Sequence, residues 1–188
     1  DHVKQAGSLV TPELLRFDFT HPKPMTSDEV RKVEDFINES ITQGEKVQSE
    51  EMEKDQALAK GAIAFFGDKY GSRVRVISVG AYSTELCGGT HVHNTADIQL
   101  FKIVNENGIA AGVRRIIAIT GTAVLNQLRE RDHQIEQLMS ILKASAPAEL
   151  PTKIEKLQAT EKELRKALEA QSRKSAAGEI DNWIKAAK

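Results

Sequence analysis

Gly121 separates two chemically different stretches of this 188-residue sequence. Before it, glycines, β-branched residues and every aromatic except Trp183 are intermixed. After it the chain is rich in Ala, Leu, Glu, Lys, Gln and Arg, with Gly178 as its single glycine. That second composition favours helix. The sequence therefore predicts a mixed α and β domain over residues 1–121 and a helical region over 122–188, its helix starting about Thr122. Hydrophobic residues make up 40%, enough for a packed core in one or two domains. A formal net charge of −1 gives no bulk attraction to nucleic acid or to a membrane surface. No apolar run is long enough to span a bilayer and no signal peptide opens the sequence, so no membrane partner is expected. A single cysteine, Cys87, fits the reducing cytoplasm. The first residue is Asp1 rather than Met, so the sequence reads as a piece of a longer protein.

Local patterns fill in the first half. Residues 7–11 are a short extended piece ended by Pro12. Residues 15–20 alternate, with Leu15, Phe17 and Phe19 on one side and Arg16, Asp18 and Thr20 on the other, which predicts a half-buried strand. His21-Pro22-Lys23-Pro24 breaks it. Thr26 or Ser27 then caps a helix, with Glu29 as capping-box partner. Val30, Val33, Ile37 and Ile41 give its apolar stripe, and Gly44 ends it. The acidic run 50–55 reads as a solvated loop or a first helical turn. Residues 55–60 make one or two helical turns, and residues 62–66 pack inward. Strands are expected over 73–79, 98–105 and 113–120. In the middle one Ile98, Leu100 and Lys102 oppose Gln99, Phe101 and Ile103, and Asn107-Gly108 signals a turn after it.

The second half carries heptads. Leu125, Leu128, Asp132, Ile135, Met139 and Leu142 form one seam with a polar interruption. Pro147 and Pro151 are expected to break the helix. A second seam runs through Ile154, Leu157, Glu161, Leu164 and Leu168, ended by Gly178, with Ile180, Trp183 and Ile184 as a terminal apolar cluster. Two such seams suggest an antiparallel hairpin, a homodimeric coiled coil, or both.

The chemistry concentrates in Leu86-Cys87-Gly88-Gly89-Thr90-His91. Thiolate and imidazole are ligands that zinc favours, and the short spacer lets one loop present both. Gly88 and Gly89 would make the turn cheap by reaching positive φ, and would leave room for a substrate backbone or ribose. Two ligands do not close a zinc site. The other reading of the loop is a buried small cysteine beside a satisfied histidine.

Four blocks together carry a resemblance. They are residues 5–10 (Gln-Ala-Gly-Ser-Leu-Val), 15–21 (Leu-Arg-Phe-Asp-Phe-Thr-His), 85–91 (Glu-Leu-Cys-Gly-Gly-Thr-His) and 112–116 (Gly-Val-Arg-Arg-Ile). In this order they resemble the editing domain of the alanyl-tRNA synthetase family, from residue 1 to about 121. Threonyl-tRNA synthetases and free-standing deacylases share that domain. The resemblance implies an α+β fold, an antiparallel sheet with packed helices like the synthetases' second additional domain, followed by an α-helical hairpin or coiled-coil tail. It implies hydrolysis of tRNA(Ala) mischarged with serine or glycine at a zinc site. ATP and Mg would serve only the aminoacylation domain of the parent. In the family, two histidines of a His-x-x-x-His helix and the Cys and His of a Cys-x-x-x-His loop hold the zinc, and Cys87 and His91 match the latter pair.

This sequence departs from the family in containing no His-x-x-x-His. With two ligands, or three if His93 joins, it is expected to be metal-poor and to deacylate slowly or not at all. Gln5 matches a family position at the editing pocket and is the candidate for catalytic contact or water positioning, since its amide both donates and accepts. A surface glutamine is the alternative. Ser8, Thr11, Gly88 and Gly89 are candidates for lining the substrate site. Arg16 and Asp18 read as a structural ion pair before a catalytic one. His2, His21 and His133 read as surface or capping groups.

Residues 1–121 carry 14 Lys and Arg against 17 Asp and Glu, so any RNA contact must be local. The weaker candidates are Lys4, Arg73, Arg75, Arg114 and Arg115. Two other functions stand beside cis editing: a free-standing trans-editing deacylase, and a non-catalytic RNA-binding or oligomerisation module.

Overall fold

The structure is a computed structural model that describes residues 3–64 and 70–186, with side chains through Lys174. It divides into two compact units, residues 1–128 and 129–188. The first unit holds two antiparallel sheets. Strands β1 (Gln5–Val10), β2 (Leu15–Thr20), β6 (Phe101–Ala110) and β7 (Val113–Thr120) form one, in the order β1-β2-β7-β6. Strands β3 (Val47–Glu53), β4 (Arg73–Val79) and β5 (Ser83–Leu86) form the other. This is the α+β class that the sequence predicts, with its antiparallel strands split between two sheets.

Helix α1 (Ser27–Thr42) covers one face of the four-stranded sheet. The Thr26 side chain caps it and Glu29 returns the bond, so both halves of the capping box form. Gly44, at φ 65°, lets the chain turn away. Val30, Val33, Ile37 and Ile41 pack against Phe19, Phe101, Ile103, Ile116 and Ala118. The helix also satisfies the open edge of β6. Asn38 donates to the Phe101 carbonyl at 2.9 Å and accepts from its N–H at 2.8 Å. Glu34 accepts the Ile103 N–H at 2.7 Å and pairs with Lys102. Edge groups that would otherwise recruit another strand are thereby closed.

The three-stranded sheet has its own small core on one face, made by Ala57, Ala62, Val74, Val76 and Leu86. Ala57 comes from the short helix α2 (Lys54–Ala59). Leu86, at 2% exposure, is the last residue of β5 and the buried anchor of the Cys87 loop. At the loop's far end Thr95 is 5% exposed. Its hydroxyl donates to the Ser40 carbonyl at 3.0 Å and accepts from the Glu45 N–H at 2.9 Å. Asn94 donates to the Gly44 carbonyl, and the Val47 N–H donates to the His93 carbonyl. The loop is therefore tied at one end to a sheet and at the other to the connection between α1 and β3.

Several expectations need correction. The acidic run 50–55 is mostly strand: Val47–Glu53 pairs with β4, where Glu51 and Glu53 stand opposite Arg75 and Arg73. Continuous pairing with β4 overrides the poor strand propensity of glutamate. The strand expected over 98–105 begins at Phe101, because Thr95–Ile98 forms a short 3₁₀ turn and Gln99 takes φ 65°. Asn107-Gly108 lies inside β6, and the turn falls instead at residues 111–112, where Gly112 has φ 69°. Gly108 admits the Arg114 guanidinium, since a Cβ there would sit 2.9 Å from Nη1. Of residues 62–66, Ala62 is buried and Ile63 exposed, while Phe65 and Phe66 lie outside the described residues.

Helix α3 (Thr122–Leu142) and helix α4 (Leu150–Ala186) make up the tail. Pro147 sits in a 3₁₀ turn between them. Pro151 does not break α4, because it falls in the first turn, where its missing N–H has no helical partner to lose. Nor does Gly178 end α4: one glycine costs only about 1 kcal/mol in a helix interior, and the helix runs through it. The second-seam residues Leu157, Leu164 and Leu168 are 61–69% exposed. The side chains of Ile180, Trp183 and Ile184 lie outside the described residues.

Replacing Thr95 with valine keeps its shape but leaves the half-buried Glu45 N–H and Ser40 carbonyl without that partner. The expected loss is about 2 kcal/mol of unfolding free energy, read from the midpoint of urea denaturation at unchanged slope.

Candidate metal centre

Cys87 continues the pairing of β5 one residue beyond Leu86, its N–H donating to the Arg75 carbonyl at 3.1 Å. Strand alternation then places Glu85 and Cys87 on one face, opposite to Leu86. That face also carries Ile77 and Ser49, the register partners of Glu85 and Ile77. The chain turns through Gly88-Gly89-Thr90 and brings His91 back. One ligand atom each from Glu85, Cys87 and His91 lie within 4.8 Å of one another, and all three residues are half-buried. Nε2 of His91 is buried and has no hydrogen-bond partner among the described residues. Cys87 is a free thiol.

The donor set suits a zinc-class cation: thiolate, imidazole and carboxylate are the ligand types zinc takes. An orphaned buried ring nitrogen beside a thiol and a carboxylate also answers the alternative reading, since His91 is not a satisfied histidine at Nε2. His93 is exposed and stands outside the group, its carbonyl bound to Val47. Sequence reasoning missed Glu85. The i, i+2 spacing of Glu85 and Cys87 on a strand was the signal that could have found it.

Other sequence candidates sit as follows. Neither Gly88 nor Gly89 has a positive φ, contrary to expectation. Their small size matters instead: a Cβ on Gly88 would meet nothing within 4 Å, and one on Gly89 would stand 3.6 Å from Cys87 Sγ. Arg75 holds the loop, donating from Nη1 to the Gly89 carbonyl at 2.5 Å and from Nε to Ser49 at 2.8 Å. Gln5 lies on β1 of the other sheet, beside a bulge at Ala6, and its amide donates to Ser8 Oγ at 3.0 Å. Thr11 Oγ1 accepts from the Glu13 and Leu14 N–H groups in a turn.

Arg114 and Arg115 serve the sheet. Arg115 is bidentate to the buried Asp18 at 2.7 and 2.8 Å, and Arg16 approaches the same carboxylate at 3.7 Å. Arg114 is bidentate to Glu106 at 2.6 and 2.7 Å. The Arg115 hydrogen bonds hold the Asp18 carboxyl below its ordinary range against the opposing effect of burial. Arg114, with help from the Met25 N–H, does the same for Glu106. Among the four arginine candidates, Arg73 is the open one, with 67% of its side chain exposed and Glu51 4.0 Å away.

Comparison with known proteins fits this geometry. Residues 74–117, which span β4, the Cys87 loop, β6 and most of β7, match the threonyl and alanyl tRNA synthetase second additional domain. The chain thus carries the second additional domain found in these synthetases. It is 51% identical over 166 residues to the alanine–tRNA ligase of Shewanella loihica, covering 87% of this chain and 19% of that protein. It is 45% identical over 184 residues to that of Desulforamulus reducens, covering 98% and 21%. It belongs to the alanyl-tRNA synthetase family, and spans about a fifth of the length of the curated relatives it matches.

Asp18 and Glu106 have depressed folded-state values, so the stability they contribute is present above the unfolded carboxylate range and lost as pH falls through the folded values. Urea midpoints are expected to hold from pH 7 to about 5 and to fall below about pH 4. Glu106→Gln should flatten that acid limb.

Proposed function

We propose that residues 1–121 belong to the editing module of an alanyl-tRNA synthetase, which hydrolyses the ester of tRNA(Ala) mischarged with serine or glycine, and that residues 122–188 are a helical, dimer-forming region. The observation that carries this reading is the convergence of Cys87 and His91 donors, with the buried His91 Nε2 left open. The chemical need is plain. A pocket for an alanine methyl rejects glycine by only about 1–3 kcal/mol and rejects serine's extra hydroxyl poorly, so a second, hydrolytic site must supply the rest.

Cys87 and His91 would hold zinc. When bound, such an ion lends Lewis acidity to an ester carbonyl and activates water. The absent side chain at Gly88 leaves room for the terminal ribose. Gln5 offers one donor and one acceptor to a substrate hydroxyl or carbonyl, with Ser8 and Thr11 beside it in the sequence. Phosphate contact falls first to Arg73, because Arg75, Arg114 and Arg115 are engaged within the fold, and it should weaken with salt. ATP and Mg act in the parent's aminoacylation part, and the parent works in the cytoplasm. No described helix is long and apolar enough to cross a membrane.

The test is deacylation of Ser-tRNA(Ala) by the longer parent enzyme. Cys87→Ala is expected to slow it at least ~100-fold, while alanine charging by the same preparation reports folding. Equal deacylation would overturn the reading. The 188-residue chain alone should deacylate slowly. In sedimentation the chain should behave as a dimer that Leu164→Glu with Leu168→Glu turns into monomer, because charges in the exposed seam oppose a coiled coil.

A further inference from the structure

Resting on the reading that this module deacylates a mischarged tRNA, we propose that the Phe36 ring, propped by Tyr82, is a stacking platform for one of the unpaired bases preceding the terminal adenosine of that tRNA. Phe36 lies on α1 outside its apolar stripe and is 57% exposed. It is the one exposed Phe, Tyr or Trp side chain among the described residues. Its ring centroid stands 5.7 Å from that of Tyr82, with the planes at 78°. Tyr82 belongs to the turn between β4 and β5, where its N–H donates to the Val79 carbonyl. This near-perpendicular contact engages part of the Phe36 ring and leaves the rest to solvent.

Both rings stand on held backbone. Ser40, one turn on from Phe36, donates its hydroxyl to the Phe36 carbonyl, and its own carbonyl accepts from Thr95. Gly80, at φ 49°, lies against Glu45, and a Cβ there would sit 2.8 Å from Glu45 Cδ. The Glu45 N–H donates to the Thr95 hydroxyl. The contacts that fix the distal end of the Cys87 loop therefore fix the two rings as well, and the platform stands where that loop ends. From Tyr82 to Cys87 the chain advances five residues, about 16 Å when extended. That span exceeds the reach of the terminal adenine from a ribose seated at Gly88, and suits an unpaired base further back along the strand. The surroundings favour a base over a protein surface. One turn to either side of Phe36 on α1 are Lys32 and Glu39, both exposed. The core of a protein interface is depleted of charge and built from several apolar anchors. A nucleobase needs only one open π-face. Because the two neighbouring charges are opposite, the contribution is stacking, and it should keep its size as salt rises while phosphate contacts weaken.

The test is a double-mutant cycle with the longer parent enzyme and chemically serylated tRNA(Ala), an abasic site replacing each unpaired base before the terminal adenosine in turn. Phe36→Leu is expected to raise the KM of deacylation about 10-fold at unchanged kcat. Phe36→Tyr, which keeps the ring, should behave as wild type. One abasic tRNA should cost the wild type the same factor and cost Phe36→Leu nothing more. Alanine charging by the same preparations reports folding; should Phe36→Leu lose it, Phe36→Met is judged by the same cycle. A Phe36→Leu enzyme with wild-type KM overturns the proposal. So does a loss that no abasic site absorbs, which would mark the ring as a structural prop or a protein contact. If Cys87→Ala deacylates as well as wild type, the editing reading itself falls. If Cys87→Ala is inactive and Phe36→Leu unimpaired, only the platform falls.

Discussion

The Thr95 hydroxyl is where the two halves of the first unit are joined. It bonds to the end of α1 through the Ser40 carbonyl and to the start of β3 through the Glu45 N–H. The Cys87 loop would otherwise be a connection between two separate sheets, free to move at its distal end. With Leu86 buried in one core and Thr95 stitched beside the other, only the intervening residues 87–94 remain to be placed. Arg75 then fixes their middle through the Gly89 carbonyl. A loop proposed to present Cys87 and His91 to one ion needs that restraint, because each ligand's freedom must be lost before the ion is gained.

Charge placement follows the same economy of geometry. Arginines that look available in the sequence are held inside the sheet. Asp18 gathers Arg115 and Arg16, and Glu106 gathers Arg114 above the cleared space over Gly108. A bidentate Arg–carboxylate pair fixes both partners in orientation. These pairs span β2 to β7 and β6 to β7 and so reinforce the strand order. The positive charge left for a polyanion is therefore sparse in the four-stranded sheet.

Much of this was legible in the sequence because local and tertiary preferences agree there. The Leu15–Thr20 alternation, the Thr26–Glu29 capping box, the α1 stripe and the Val113–Thr120 strand follow from spacing alone. Failures fall where a partner distant in sequence decides the outcome. Residues 47–53 form a strand because β4 pairs with them along their whole length. Asn107-Gly108 mimics a turn because Gly108's lack of a side chain serves Arg114 instead. Pro151 looks like a breaker until the helix is seen to begin one residue earlier. For the site, Cys87 and His91 announce themselves as a rare residue pair at short spacing. Glu85 does not, since one glutamate among 27 acidic residues becomes distinctive only once β5 is known to be a strand.

That difference in visibility bears on how the proposed site works. Cys87 and His91 sit on the loop itself, where glycine neighbours give them latitude. Glu85 sits on the strand, where its backbone is locked by β4 on one side and by the Ile63 segment on the other. Its backbone is therefore the fixed start from which the loop carries Cys87 and His91. Rigid support beneath a loop-borne donor pair is what holds such a pair to one geometry.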